Sequence, residues 1–250
     1  MEGSKISVEE SERYCRQLLI FGEEGQNRLK NSHVAIAGAG GLGSPVAYYL
    51  AVAGVGSLTI IDKDVVELSN LNRQILHYDE DIGIEKVESA SIKLKRINPH
   101  ITVHAKSENI DPSSVDSLIG DASVIVDAMD NFETRYILNS FAVKNRKILV
   151  HGAVRSFDGQ VTTVIPGKSA CLACIFPDVK VSDKVPVIGI TPGIIGLLQA
   201  NEVIKHLLGI GEGLGNRLLL WDGLTGRLEE IKLKKRPDCP VCGNEYSMED

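Results

Sequence analysis

The segment that most constrains this chain is GAGGLG, residues 38–43. It stands between HVAIA (His33–Ala37), which reads as a short buried strand, and Ser44–Ala53, which reads as a helix. Gly38, Gly40 and Gly43 give the spacing G-x-G-x-x-G. Glycine there permits a tight turn and lets backbone N–H groups approach a phosphate at the start of the helix. A second strand, Ser57–Ile61, ends on Asp62, 19 residues after Gly43. That is the place of a carboxylate that grips ribose hydroxyls. A structural turn with no ligand is the competing reading of the loop alone. The motif by itself does not separate NAD from ATP.

The rest of the chain extends the alternation. Residues 84–97 repeat apolar side chains at Val87, Ala90, Leu94 and Ile97, the spacing of one helix face. Ile101–His104 reads as a third strand and Ser123–Ala128 as another, followed by a helix near 132–145 and a strand at 147–151. Strands alternating with helices predict an α/β fold: a Rossmann-like, mostly parallel sheet with helices on both faces. Residues 1–30 read as helical pieces broken at Gly22 and Gly25. After about residue 152 the texture changes. Gln160–Ile165 alternates as an antiparallel strand does, residues 192–208 open on Pro192 and read as a buried helix, and 217–221 with 227–233 suggest a closing hairpin. The expected organisation is a single domain over 1–250. It has a helical segment at 1–30, a nucleotide-binding core at 31–155 and an antiparallel, zinc-bound C-terminal part at 156–250.

The stretch after Asp62, DKDVVELSNLNRQ, bears on the choice of nucleotide. Asn70 and Arg73 lie beyond the second strand, where a dinucleotide enzyme needs no phosphate ligands. Lys86 opens the next helix, and Asp130 and Asn131 follow the strand SVIVDAM. In such sheets the strand C-termini point to one crevice, where ligands bind. Arg73, Lys86 and Asp130 can therefore converge on phosphates held at Gly38–Gly43. Two cations and a carboxylate suit ATP with Mg²⁺: the cations neutralise the leaving pyrophosphate and Asp130 holds the metal. Each of these residues alone would read as a solvated surface charge.

The net charge of −6, with no local basic patch found, excludes nucleic acid as the expected partner. The polar, acidic start MEGSKISVEESERY is not a signal peptide. The longest apolar stretch, Val185–Leu198, is interrupted by Pro and Gly and is too short for a bilayer. The expectation is a cytoplasmic protein with no membrane partner. Four of the five cysteines form two C-x₂-C pairs, Cys171–Cys174 and Cys239–Cys242. That spacing predicts a tetrahedral zinc site, with a redox pair or unligated thiols as alternatives. Cys15 reads as an ordinary helix residue, and the six scattered histidines as packing or surface groups.

RYCRQ (13–17), GAGGLGSP (38–45), LTIIDKDVVELSNLNRQ (58–74), GIEKVESA (83–90), INPH (97–100), DAMDN (127–131), CLAC (171–174) and CPVCG (239–243) occur in that order. In these stretches the chain resembles the ubiquitin-activating-type adenylyltransferases, and within them the molybdopterin-synthase and thiamine-pathway sulfur-carrier branches. The resemblance implies adenylation of the C-terminal glycine of a small ubiquitin-fold sulfur carrier ending in Gly-Gly, with release of pyrophosphate. It implies ATP near Gly38, Gly40, Gly41, Gly43, Asp62, Asn70, Arg73, Lys86 and Asp130, with Asp64, Ser69, Gln74 and Asn131 from the same motifs. It further implies that Arg16 reaches the triphosphate of a neighbouring subunit, so that the active unit is a homodimer, and that residues 156–250 dock the carrier. Arg16, Arg73, Lys86 and Asp130 are the expected catalytic residues. No base is needed, because a free α-carboxyl titrates at about 3.3–3.7 and is ionised at neutral pH.

One feature departs from part of the family. Several relatives carry a reactive cysteine in the loop before the buried helix, and here SDKVPVIGITPG has none, with Lys184 at the aligned position. The expectation is an enzyme that stops at the acyl-adenylate. The short stretch after CPVCG leaves no room for a sulfur-donating domain, so a separate protein is expected to supply sulfur. The competing functions are adenylation of another carboxylate or a tRNA base, a non-catalytic ATP-binding scaffold, and an NAD-dependent oxidoreductase. The last is disfavoured by the absence of a plausible hydride-site acid or base.

Overall fold

The computed structural model describes residues 5–177, 179 and 185–243. Lys184, with Ser182 and Asp183 before it, lies outside them. Strand β1 (His33–Ala37) lies at the centre of the parallel part of the sheet. Its side chains alternate between two layers, as the period of a strand requires: Val34 and Ile36 belong to one apolar cluster, Ala35 and Ala37 to the other. Strand β2 (Ser57–Ile61) pairs with one edge of β1 and β4 (Val124–Asp127) with the other, both parallel. Strands β3 (Thr102–Lys106) and β5 (Ile148–Arg155) extend the parallel ladder outward. From β5 onward the pairing is antiparallel, through β6 (Asp158–Val164), β7 (Arg217–Asp222) and β8 (Arg227–Lys232). Among the described residues the result is one eight-stranded sheet in the order β3-β2-β1-β4-β5-β6-β7-β8.

Helices cover both faces. Residues of α2 (Cys15–Lys30), α3 (Gly43–Ala53), α4 (Lys86–Ile97) and α8 (Ile190–Leu208) share the cluster of Val34 and Ile36. Residues of α5 (Val115–Ile119), α6 (Phe132–Lys144) and α7 (Leu172–Ile175) share the other cluster with all four paired cysteines. A further helix, α1 (Val8–Arg13), precedes α2 and opens on a capping box between Ser7 and Glu10. Among the described residues no helix is long and apolar enough to cross a membrane.

The expected α/β sheet with an antiparallel extension is present, and several details differ. Of the two glycines expected to break the N-terminal helix, only Gly22 does so, with φ of +66°. Gly25 stays helical, and a Cβ there would lie 2.5 Å from the Phe21 ring, so its missing side chain serves packing. Strand β5 runs to Arg155, past the expected 151, because its last residues are held by β6, up to Arg155 opposite Asp158. The short helices α5 and α7 were not anticipated.

Candidate active site

The glycine loop leaves the end of β1 between β2 and β4. Gly38 N donates to Ile61 O (2.8 Å), and Ala128 N donates to Ala37 O (2.9 Å), which ties the loop to both neighbours. Gly38 has φ of +103°, and a Cβ there would lie 2.7 Å from Ala128 O. A Cβ on Gly43 would lie 1.8 Å from Gly38 O. The backbone is folded on itself too closely for any other residue at these two positions. Helix α3 then begins at Gly43 without a side-chain cap; Ser44 N donates to Gly40 O (2.9 Å) and Pro45 has no N–H, so the donors facing an anion are those of the glycine loop itself.

Asp62 sits at the end of β2 and is bound directly to this loop. Its Oδ2 accepts from Ala39 N (2.8 Å) and its Oδ1 from Asp64 N (2.9 Å). Lys86, the first residue of α4, is buried, and a buried ammonium requires a counter-charge. Its Nζ donates to Asp64 Oδ2 (2.8 Å) and lies 4.0 Å from Asp62 Oδ1. Arg73 approaches from the other side: a Cβ placed on Gly41 would lie 3.5 Å from Arg73 Cγ and 3.2 Å from Pro192 in the first turn of α8. The guanidinium is steadied by Ser69 O (2.8 Å) and Asn72 Oδ1 (2.9 Å). Gln74 is buried beside Gly40, and its Oε1 has no hydrogen-bond partner among the described residues. An unmet buried amide oxygen costs about 1–3 kcal/mol unless a ligand or water supplies a donor.

Other expected residues shape the walls. Asn70 is buried and accepts from Glu67 N (3.1 Å), closing a turn over Leu68–Asn70, while Ser69 donates to Glu67 Oε2 (3.2 Å). Asp130 and Asn131 are exposed just beyond β4. Asn131 caps α6 by accepting from Thr134 N (2.9 Å), and its amide lies 3.4 Å from Asp130 Oδ1. The structure thus brings Gly38–Gly43, Asp62, Lys86, Arg73 and Asp130 to the ends of the parallel strands.

Arg16 is not there. The RYCRQ segment is bound to the far end of α3, where Gln17 Nε2 donates to Ala53 O (2.8 Å). Helix α3 has 11 residues. At 1.5 Å per residue that end is about 16 Å from Gly43, beyond the reach of one arginine side chain.

Sequence reasoning missed the support beneath the crevice. Asp127, His151 and Arg135 are buried together where β4, β5 and α6 meet. His151 Nδ1 lies 2.6 Å from Asp127 Oδ2, and Arg135 Nε lies 3.6 Å from it. Burial pushes the His151 pKa down despite Asp127, so the ring is neutral and donates through Nδ1. The peptide before Asp130 is held from both sides: Met129 N donates to Asp127 Oδ1 (3.1 Å), and Arg135 donates to Met129 O. Gln199 of α8 donates to Asp127 O (2.8 Å) and Val150 O (3.1 Å). The available signal was an acid ending a wholly apolar strand, with an arginine eight residues later.

The four paired cysteines are buried, and their Sγ atoms lie within 4.8 Å of one another. Cys171 and Cys239 are 3.7 Å apart and Cys174 and Cys242 are 3.4 Å apart, too far for disulfides. Bonds of about 2.3 Å from tetrahedral zinc would place sulfurs about 3.8 Å apart, so the cluster fits that ion. Cys15 is exposed at the start of α2.

A family model described as the ThiF family matches residues 14–241. The SAMP-activating enzyme E1 of Haloferax volcanii is 42% identical over 246 residues, covering 95% of this chain and 91% of the relative. The sulfur carrier protein adenylyltransferase of Thermus thermophilus is 41% identical over 255 residues, covering 97% and 94%. The adenylyltransferase and sulfurtransferase MOCS3 of Drosophila yakuba is 42% identical over 248 residues, of which this chain spans 96% of its own length but 55% of the relative's. Among solved structures, E. coli MccB with ATP superposes with a TM-score of 0.84 at 26% identity, covering 93% of this chain and 74% of that one. The chain belongs to the ThiF family, the adenylyltransferases of the ubiquitin-activating type that its motifs resemble.

Proposed function

We propose that this protein uses Mg·ATP to adenylate the C-terminal glycine of a small ubiquitin-fold sulfur carrier ending in Gly-Gly, releasing pyrophosphate. The observation that carries the reading is the meeting of the glycine loop, Asp62, Lys86 and Arg73 at one crevice, with Asp130 exposed just beyond the end of the neighbouring strand β4. NAD chemistry calls for no such pair of cations. The Thermus relative's name specifies a sulfur carrier, and the E. coli relative's structure contains ATP.

In this reading the loop N–H groups hold phosphates at the α3 N-terminus, and Asp62, Asp64, Ser69, Asn70, Gln74 and Asn131 shape and line the nucleotide site. Arg73 and Lys86 neutralise charge on the departing pyrophosphate, with Asp64 giving up its contact with Lys86 as phosphate arrives. The carrier carboxylate is already ionised, so rate enhancement comes from alignment and charge neutralisation, not proton transfer. Asp130 is an exposed oxygen donor of the kind Mg²⁺ prefers, and the ion would draw charge from the triphosphate. Arg16 serves the site of a second copy in a homodimer, because its own crevice lies at the opposite end of α3. Zn²⁺ at Cys171, Cys174, Cys239 and Cys242 joins the middle of the chain to its C-terminal part, and residues 156–250 receive the carrier. A cytoplasmic location, a role in molybdopterin, thiamine or related sulfur-transfer pathways, and a separate sulfur donor complete the proposal.

ATP–pyrophosphate exchange tests it. Exchange that depends on a carrier ending in Gly-Gly and is lost in Arg73→Ala and Asp130→Ala is the expected result. Absence of exchange with every such carrier overturns it.

A further inference from the structure

Two motifs meet at the far end of α3. Tyr14 of RYCRQ is buried, and its Oη accepts from Asn98 Nδ2 (2.8 Å) of INPH. Asn98 is fully buried; its Nδ2 also donates to Ala51 O (2.7 Å), and its Oδ1 accepts from His100 N (3.1 Å). Arg13 donates to Ile97 O (3.3 Å). Gln17 and Gln26 both donate to Ala53 O, at 2.8 and 3.0 Å. Ala51 and Ala53 belong to the last turn of α3, where carbonyls run out of intrahelical donors; Ala51 O also accepts from Gly54 N (3.1 Å) just past the helix. A Cβ on Gly54 would lie 2.6 Å from the Tyr14 ring, so the phenol rests on bare backbone. Within RYCRQ, Tyr14 and Gln17 therefore turn inward onto α3, while Cys15 and Arg16 remain exposed.

Helices α3 and α4 both run from the crevice to this junction: α3 from Gly43 to Ala53, and α4 from Lys86 to Ile97, immediately before Asn98. We propose that Asn98 and Tyr14 are positioning residues that hold Arg16 for the nucleotide site of a second copy of this chain. The inference rests on the reading in which Arg16 acts across a dimer. Asn98 bonds both α3 and Tyr14 of the arginine segment, and Gln26 makes the corresponding link for Gln17 by accepting from its Nε2 and donating to Ala53 O. Losing the Asn98 side chain leaves Ala51 O to Gly54 N alone (3.1 Å) and frees Tyr14, leaving the segment to its Gln17, Gln26 and Arg13 contacts.

Doubly tagged heterodimers titrated with Mg·ATP by calorimetry test the proposal. The Asn98→Ala homodimer is expected to bind ATP about tenfold more weakly at both sites. Pairing an Asn98→Ala chain with an Asp130→Ala chain is expected to restore one wild-type site per dimer. That site combines the intact pocket of the first chain with the properly held Arg16 of the second. Arg16→Ala paired with Asp130→Ala is the reference for the dimer reading. If the reference recovers a site and the Asn98→Ala pair does not, Asn98 acts within its own chain and the positioning role is overturned while the dimer reading stands. If the reference recovers none, both fall. Wild-type affinity in the Asn98→Ala homodimer also overturns the proposal. Tyr14→Phe keeps the ring and removes only the acceptor; it carries the same comparison if Asn98→Ala does not fold.

Discussion

Asp127→Asn gives a sharp test of the support beneath Asp130. The substitution preserves volume and removes one charge from a fully buried site. Asp127 accepts from Met129 N (3.1 Å) through Oδ1 and from His151 Nδ1 (2.6 Å) through Oδ2, with Arg135 Nε 3.6 Å from the latter. An asparagine has one acceptor oxygen. It can serve His151 or Met129 N, but its amide then faces the other donor. Arg135, itself buried, also loses its counter-ion. Breaking a buried pair from one side costs about 3–5 kcal/mol. At about 2–4 °C per kcal/mol for a chain of this size, the melting temperature drops by about 6–20 °C. Urea unfolding of Asp127→Asn, Arg135→Gln and the double variant forms a cycle. Because the double variant removes the orphaned charge, it is expected to recover about 1–3 kcal/mol relative to the sum of the singles. A single variant within about 1 kcal/mol of wild type, or strict additivity, refutes the reasoning.

Gly38→Ala forces a side chain into a φ of +103° and against Ala128 O. It is expected to cost at least about 1–3 kcal/mol and to weaken ATP binding, and unchanged ATP affinity by calorimetry contradicts the assignment of the loop. Purified protein is expected to carry one zinc per chain by emission spectrometry. Chelation or Cys171→Ser removes an interaction on the order of 10 kcal/mol and collapses the melting temperature; a zinc-free protein that melts normally refutes the site. Burial lowers the pKa of His77 and of His151 below the ordinary 6.5, so both are neutral when folded. The unfolded chain then takes up protons first as pH falls. Stability present above about pH 6.5 declines below it, by up to about 1.4 kcal/mol per pH unit per histidine. His77→Gln is expected to flatten the slope of unfolding free energy below pH 6.5 by up to one proton, and an unaltered slope counts against this account.

The inner strands were legible because their residues are apolar on both faces and bounded by glycine or polar turns. Ser57–Ile61 was read to the residue. Strand β5 was cut short because its last residues are held by β6, a partner that sequence periodicity does not see. Helices α5 and α7, of 5 and 4 residues, are too short to show a helical period. The crevice was legible because chain order in a parallel sheet dictates which loops share an edge. Asp127 was quoted within DAMDN without a role, since its partners Arg135 and His151 come from an adjacent helix and a neighbouring strand. Tyr14 and Asn98 stayed obscure for the same reason: they lie 84 residues apart. The two cysteine pairs needed only their spacing.

The strand order has a consequence for how the chain comes together during synthesis. Once β1, β2 and β3 have paired, every later strand joins the opposite edge in the order in which it is made: β4 on β1, then β5, β6, β7 and β8. A nascent chain therefore presents one growing edge, and each new strand covers the one before it. That limits the time any apolar edge can recruit another molecule. The final strand, RLEEIK, is exposed along its whole length and carries Arg227, Glu229, Glu230 and Lys232. A charged last strand ends the growth of the sheet, so that the same rule of addition does not continue into a second chain.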